Sequence, residues 1–223
     1  MRRGAGDELM VFDGQGRWAK GRITQSSARR VEVEVSSSGQ NEPPSVRLSL
    51  LQSVPKGGNM ELIIEKAVEL GVLDIHPVLT AHTVVKLKDA EIEKKRLKWQ
   101  RLALEACKQC GQNWLPQVHP PVAFERCWRS LPPHELRLIA ALQPDSASLK
   151  SVIARQPKKP ATVLVAIGPE GDFSPAEYDL ARSEGCQPIT LGPIVLRVET
   201  AAMFCLSVLT HELLLSSDKK NQE

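Results

Sequence analysis

The spacing of apolar and polar positions along this chain changes once, near residue 45. Before that point, short apolar runs and strict alternation dominate. Glu8-Leu-Met-Val-Phe12 reads as a strand, Asp13-Gly14-Gln15-Gly16 as a tight turn, and Arg17 to Thr24 as the returning arm of a hairpin. Arg30-Val-Glu-Val-Glu-Val35 puts Val31, Val33 and Val35 on one face and Glu32 and Glu34 on the other. Ser36 to Pro44 has the composition of a turn or linker. Together these signals predict a small β-barrel-like module over residues 1–45.

From Val46 onward, strand and helix patterns alternate. Val46–Val54 suits a strand; Asn59 is placed to cap a helix over Met60–Leu70, which Gly71 would stop. Val72–Leu79 follows as a strand, and Ala90–Gly111 as a long amphipathic helix. Leu136–Leu142 and Thr162–Ile167 are apolar enough for strands buried on both faces. Ser174-Pro175-Ala176-Glu177 has the residues of a capping box with proline at the first helical position, so a helix should open there and stop at Gly185. Pro188–Leu191 is a further strand, and a strongly apolar helix should run on to Leu215. Such alternation indicates an α/β domain with a mainly parallel sheet over residues 46–223.

Composition narrows the class. Hydrophobic residues make up 42% of the chain and aromatic ones 4%, so a core of Leu, Val, Ile and Ala is expected. No apolar run approaches the roughly 20 residues that span a bilayer. No apolar segment follows Met1-Arg2-Arg3-Gly4, so the expectation is a soluble, cytoplasmic protein without a signal peptide or membrane partner. The five cysteines are an odd number without the spacing of a disulfide framework. Cys107-Lys108-Gln109-Cys110 lacks the second pair that a structural zinc needs, and the five histidines show no ligand spacing, so no metal is expected. The net charge of +3 decides little. The basic residues gathered between Lys86 and Lys108 fit either a solvated helix face or a phosphate-contacting one.

Candidate chemistry lies in the C-terminal third. The strand ending at Ile167 runs straight into Gly168-Pro169-Glu170-Gly171, and the one ending at Leu191 into Gly192-Pro193. Ligands of open parallel sheets gather at the carboxyl ends of strands. Arg197, Glu199 and Thr200 follow the second loop, and a buried Arg197–Glu199 ion pair between two ordinary turns explains that stretch as well as a ligand site does. Phosphate-loop, dinucleotide, nucleophile-elbow and His-Glu-x-x-His motifs are all absent from the sequence.

These segments carry a resemblance. Ile167-Gly-Pro-Glu-Gly171, Leu191-Gly192-Pro193 and Leu196-Arg197-x-Glu199-Thr200-Ala201 resemble the signature of the RsmE family, 16S ribosomal RNA (uracil-N3)-methyltransferases of the SPOUT superfamily. Lys56-Gly57-x-x-Met60-Glu61, Glu65-Lys66-Ala67-x-Glu69-Leu70-Gly71, Trp99 and Glu105-Ala106-Cys107-x-Gln109-Cys110-Gly111 extend it upstream. The resemblance implies a SPOUT-type α/β-knot methyltransferase domain over 46–223 with a small PUA-like β-barrel RNA-binding domain over 1–45. It implies S-adenosyl-L-methionine as cofactor, 16S rRNA of the small ribosomal subunit as partner, and a homodimer. A SPOUT enzyme acting on another RNA such as tRNA, or a non-catalytic RNA-binding or ribosome-assembly protein, are the alternatives. The implied cofactor residues are Leu142, Ile167, Gly168, Pro169, Glu170, Gly171, Leu191, Gly192, Pro193, Leu196, Arg197, Thr200 and Ala201, and the implied catalytic residues are Arg197 and Glu199, the carboxylate orienting the guanidinium. The chain departs from the family pattern in three places. The segment before Gly6 is shorter, family arginines are missing near His82 and at Gln112, and Asp172 stands where a glycine is common.

Overall fold

The structure is a computed structural model describing residues 4–85 and 87–215. Met1–Arg3 and Lys86, which entered the reading above, lie outside the described residues.

The N-terminal strands β1 (Glu8–Phe12), β2 (Arg17–Ser26) and β3 (Val31–Gln40) form an antiparallel sheet of three, in that order. The hairpin and its turn fall where the sequence put them. Among the described residues the sheet does not close into a barrel. Its apolar positions find no core of their own, for Met10, Val11, Val31 and Val35 are all exposed, and register shifts in the β2–β3 pairing interrupt the alternation. Instead it leans on the α/β domain. Gly16 donates to the Asn113 carbonyl, the Trp114 indole donates to the Glu42 carbonyl, and Phe12 packs against the main core.

The main sheet contains β4 (Arg47–Ser53), β5 (Val72–Leu79), β6 (Gln117–Val118), β7 (Val122–Ala123), β8 (Leu136–Ala140), β9 (Ala147–Ser148), β10 (Thr162–Ile167) and β11 (Cys186–Thr190). Its order is β6-β5-β4-β10-β8-β11-β9 with β7 also on β5, and every pairing is parallel. Helices α1 (Asn59–Glu69), α2 (Asp89–Cys110), α4 (Leu149–Ala154) and α6 (Val198–Thr210) cover one face; α3 (Phe124–Cys127) and α5 (Pro175–Ser183) cover the other. β10 shows why a central strand reads as unbroken apolar sequence. Val163, Val165 and Ile167 belong to the first core, while Leu164 and Ala166 belong to the second.

The connectivity positions the site. β10 enters between β4 and β8, β11 pairs on the far side of β8, and the chain then returns so that α6 packs on α1 and β10. The C-terminal segment thus doubles back over strands already laid down, as in the knotted α/β fold that the resemblance implies. With the π-helical turn His211–Leu215, α6 makes an 18-residue run of mean hydropathy 1.4, which length and composition alone would let cross a membrane. Its Ala201, Ala202, Cys205, Leu206 and Leu209 are buried in the main core.

Two local readings are refined. The α5 capping box forms as expected: Ser174 Oγ accepts from Glu177 N–H, and the Glu177 carboxylate accepts from Ser174 N–H at 2.8 Å. Asn59, however, is the first residue of α1 rather than its cap; Gly58 stands at the cap position and no side chain bonds there. On α2 half of the six basic residues are in ion pairs, Arg96 with Glu93, Lys108 with Glu105 and Lys98 with Glu61, while Lys95 lies over the Trp99 ring. Both the solvated-face and the phosphate-contacting readings of the cluster are compatible with that arrangement. Cys107 is buried in the core and Cys110 is exposed, with the buried thiol pushed up to about 12 by desolvation.

Candidate cofactor cleft

Where β8, β10 and β11 end, the backbone must leave the sheet, and the two Gly-Pro loops leave in directions that open a cleft of about 410 Å3. That volume lies within the range of small-molecule sites. Its walls are apolar, from Ile167, Leu191, Leu196 and Ala201, with Pro169 and the exposed Leu142 beside them. Gly168, Glu170, Gly192, Arg197 and Glu199 bring backbone and charge to the same space.

Each loop is held by its own chemistry. In the first, the Glu170 carboxylate accepts from the Lys56 N–H at 2.9 Å, tying the loop to the turn before α1. Asp172 adopts the left-handed backbone conformation with φ 62°, which accounts for a glycine being common there. Its carboxylate accepts from the Phe173 N–H at 2.9 Å and from the Tyr178 hydroxyl at 2.6 Å, bonds no glycine makes. Burial, followed by the Asp172 contact, pushes the Tyr178 phenol above its ordinary range. His82 Nδ1 lies 2.8 Å from the Asp172 carbonyl, and a Cβ on Gly171 would approach His82 to 3.2 Å. In the second loop, Gly192 has φ 122° and donates to Thr190 Oγ1 at 3.3 Å. The backbone N–H groups of Ile194, Val195 and Leu196 donate to no acceptor among the described residues. Unpaired backbone donors on residues that line an apolar-walled cleft suit a ligand read by backbone, and the site fits an adenosine-type cofactor on that ground.

Most of the sequence-derived residues converge here, but three do not line the cleft. Gly171 packs under His82, while Pro193 and Thr200 are exposed beside it. The expected Arg197–Glu199 ion pair does not form. Arg197 caps α6 in extended conformation, Glu199 sits in its first turn, and residues two apart at a helix start face different ways. Glu199 Oε2 instead accepts from Asn59 Nδ2 at 3.2 Å, joining α1 to α6 at the cleft. Asn59 was therefore misread as a cap. Ala140 and Ala141 at the end of β8, Asp172, and the loop residues Ile194, Val195 and Val198 also line the cleft. For the two alanines, the ending of an adjacent parallel strand was the only available signal.

Similarity to known proteins agrees with this geometry. An RNA methyltransferase domain profile matches residues 41–210. The ribosomal RNA small subunit methyltransferase E of Synechocystis is 32% identical over 203 residues, covering 91% of this chain and 65% of that protein. Its Bacillus subtilis counterpart is 28% identical, covering 95% and 84%. A Legionella pneumophila methyltransferase solved with bound S-adenosylmethionine superposes with a TM-score of 0.85 at 33% identity, covering 94% of this chain and 85% of that one. The small subunit methyltransferase E of Neisseria gonorrhoeae, bound to the same cofactor, gives 0.82 at 28% identity, covering 93% and 84%. With a profile match over most of its length and relatives of this kind, the chain belongs to the RNA methyltransferase family, in its RsmE group.

Proposed function

We propose that this chain transfers a methyl group from S-adenosyl-L-methionine to N3 of a specific uridine in 16S rRNA of the small ribosomal subunit, acting as a homodimer. The observation that carries the proposal is the cleft itself: apolar walls, free backbone donors and an arginine at the rim. Bound there, the cofactor supplies an electrophilic methyl group on a sulfonium centre. The chain's part is to hold the uracil in line and to favour loss of its N3 proton. Arg197 is exposed at the mouth of the cleft, where its planar fork can donate to the uracil carbonyls and stabilise the negative charge that grows on them. Glu199 acts differently from a direct partner of Arg197. Through Asn59 it fixes α1 against the first turn of α6, and so sets where Arg197 begins.

The cofactor residues of this reading are those of the two loops with Leu142, Leu196, Arg197 and Ala201; Gly171, Pro193 and Thr200 lie outside the lining. The homodimer rests on apolar surface at the cleft mouth. Ile194 and Val195, which line the cleft, are 69% and 75% exposed. A cytoplasmic location goes with a ribosomal RNA substrate.

The test is incubation of the purified chain with labelled cofactor and, separately, small subunits, free 16S rRNA and tRNA, followed by nucleoside mass spectrometry. N3-methyluridine in 16S rRNA is expected. Label in tRNA alone would give the enzyme another substrate, and binding of small subunits without transfer would make it an assembly protein.

A further inference from the structure

Remote from the cleft, folding assembles a second group of side chains whose spacing along the chain hides it. Asp74 and His76 lie two apart on β5 and therefore point to one face of the sheet. His119 follows β6, the neighbouring strand, and donates its backbone N–H to the Ile75 carbonyl at 2.9 Å. The three side chains meet, each offering a ligand atom within 4.8 Å of the others. None of them lines the cofactor cleft.

We propose that Asp74, His76 and His119 bind a divalent transition-metal cation, zinc by the chemistry of its donors. Two imidazoles and a carboxylate form a donor set that suits zinc, leaving a fourth tetrahedral position for water. A second observation points the same way. His76 is only 8% exposed, yet its Nε2 has no hydrogen-bond partner among the described residues, and a buried polar nitrogen is rarely left so. The site also has outer support. Asp74 is 4% exposed and its Oδ2 accepts from Arg47 Nε at 2.6 Å, while Oδ1 faces His119 Nε2 at 3.3 Å. One carboxylate oxygen is thus oriented by Arg47, while the other is paired with His119 Nε2 in a long contact that a metal between them would replace.

The geometry also says what must move. The rings of His76 and His119 stack at 4.0 Å with an angle of 10° between planes. One metal cannot lie in two parallel ring planes, so binding has to break the stack. A tetrahedral site with bonds of about 2.0–2.1 Å brings ligand atoms to about 3.3 Å from one another. His119, 29% exposed beside a two-residue strand, is the ligand free to swing. The metal would pin the β6 segment onto β5, a structural task separate from the cleft.

The experiment uses the tag-free full chain, stripped with chelator and titrated with Co2+ under visible absorption, then with Zn2+ as competitor. One equivalent of Co2+ with the intense bands of four-coordinate cobalt is expected, lost on adding Zn2+. Affinity should fall about tenfold or more in His119→Ala and in Asp74→Asn and be unchanged in Cys110→Ser. If His119→Ala loses its circular dichroism spectrum, the size-conserving His119→Gln takes its place. Absence of bands at saturating Co2+, or binding indifferent to the His119 and Asp74 variants, would overturn the proposal and leave a polar cluster only.

Discussion

Gly192→Ala isolates the backbone's share in the cleft. An added Cβ at Gly192 meets nothing within 4 Å, so the substitution creates no clash. Its φ of 122° is nevertheless a conformation that L side chains rarely adopt, and holding alanine there costs roughly 1–3 kcal/mol. The loop either keeps its shape, and the protein loses that much stability, or relaxes. Relaxation depopulates the conformer that builds the cleft and weakens apparent cofactor affinity by about 5- to 150-fold, the same energy written as a population. Gly111→Ala is the control. Gly111 ends α2 with φ 79°, also with nothing within 4 Å of an added Cβ, and lies outside the cleft. Its left-handed strain of about 1–2 kcal/mol should appear wholly as a melting temperature lowered by about 2–8 °C. Calorimetric titration with S-adenosylmethionine, paired with thermal unfolding, reads both terms. Wild-type affinity and wild-type melting temperature together in Gly192→Ala would refute the claim that this loop's backbone shapes the site.

Other outcomes follow from single contacts. Arg197→Ala should abolish methyl transfer in a nucleoside assay while cofactor titration changes by only a few fold, because the side chain is exposed at the rim. Asn59→Ala breaks the bond to Glu199 and should lower turnover, with about 0.5–1.5 kcal/mol lost in denaturant unfolding. Asp172→Gly relieves a left-handed backbone at a gain of about 1 kcal/mol but forfeits two bonds to a carboxylate worth about 1.5–3 kcal/mol each; net destabilisation is expected in urea titration. Ile64→Ala, at a fully buried position of α1, should cost about 2–5 kcal/mol by the same measurement.

What the sequence disclosed depended on how local the physics was. β10 and α5 could be read almost residue for residue, since an apolar strand and a capping box carry their own instructions. Alternation at Val31–Val35 predicts a strand with three valines on one face, and β3 covers that stretch. It could not say whether anything covers that face, and two of the three are exposed. Asn59 has the chemistry of a cap, yet a carboxylate 140 positions away claims its amide, and no local rule sees that partner. Arg197 and Glu199 were adjacent enough to suggest a pair, but helix geometry turned them apart. The Gly-Pro loops were legible because each follows a strand, β10 buried along nearly its whole length and β11 only in part. Ala140 and Ala141, which complete the cleft, have side chains too small to signal anything. The Asp74–His76–His119 group was invisible for a related reason: sheet pairing, rather than spacing, brings it together.

The central claim is that S-adenosylmethionine occupies the space between the loops following β10 and β11. A crystal structure of the chain grown with the cofactor tests it directly. Density for a bound ligand between Gly168–Glu170 and Leu191–Arg197, touched by the free N–H groups of Ile194 to Leu196, is the expected result. A cofactor bound elsewhere on the chain, or an empty cleft at saturating cofactor, would contradict it.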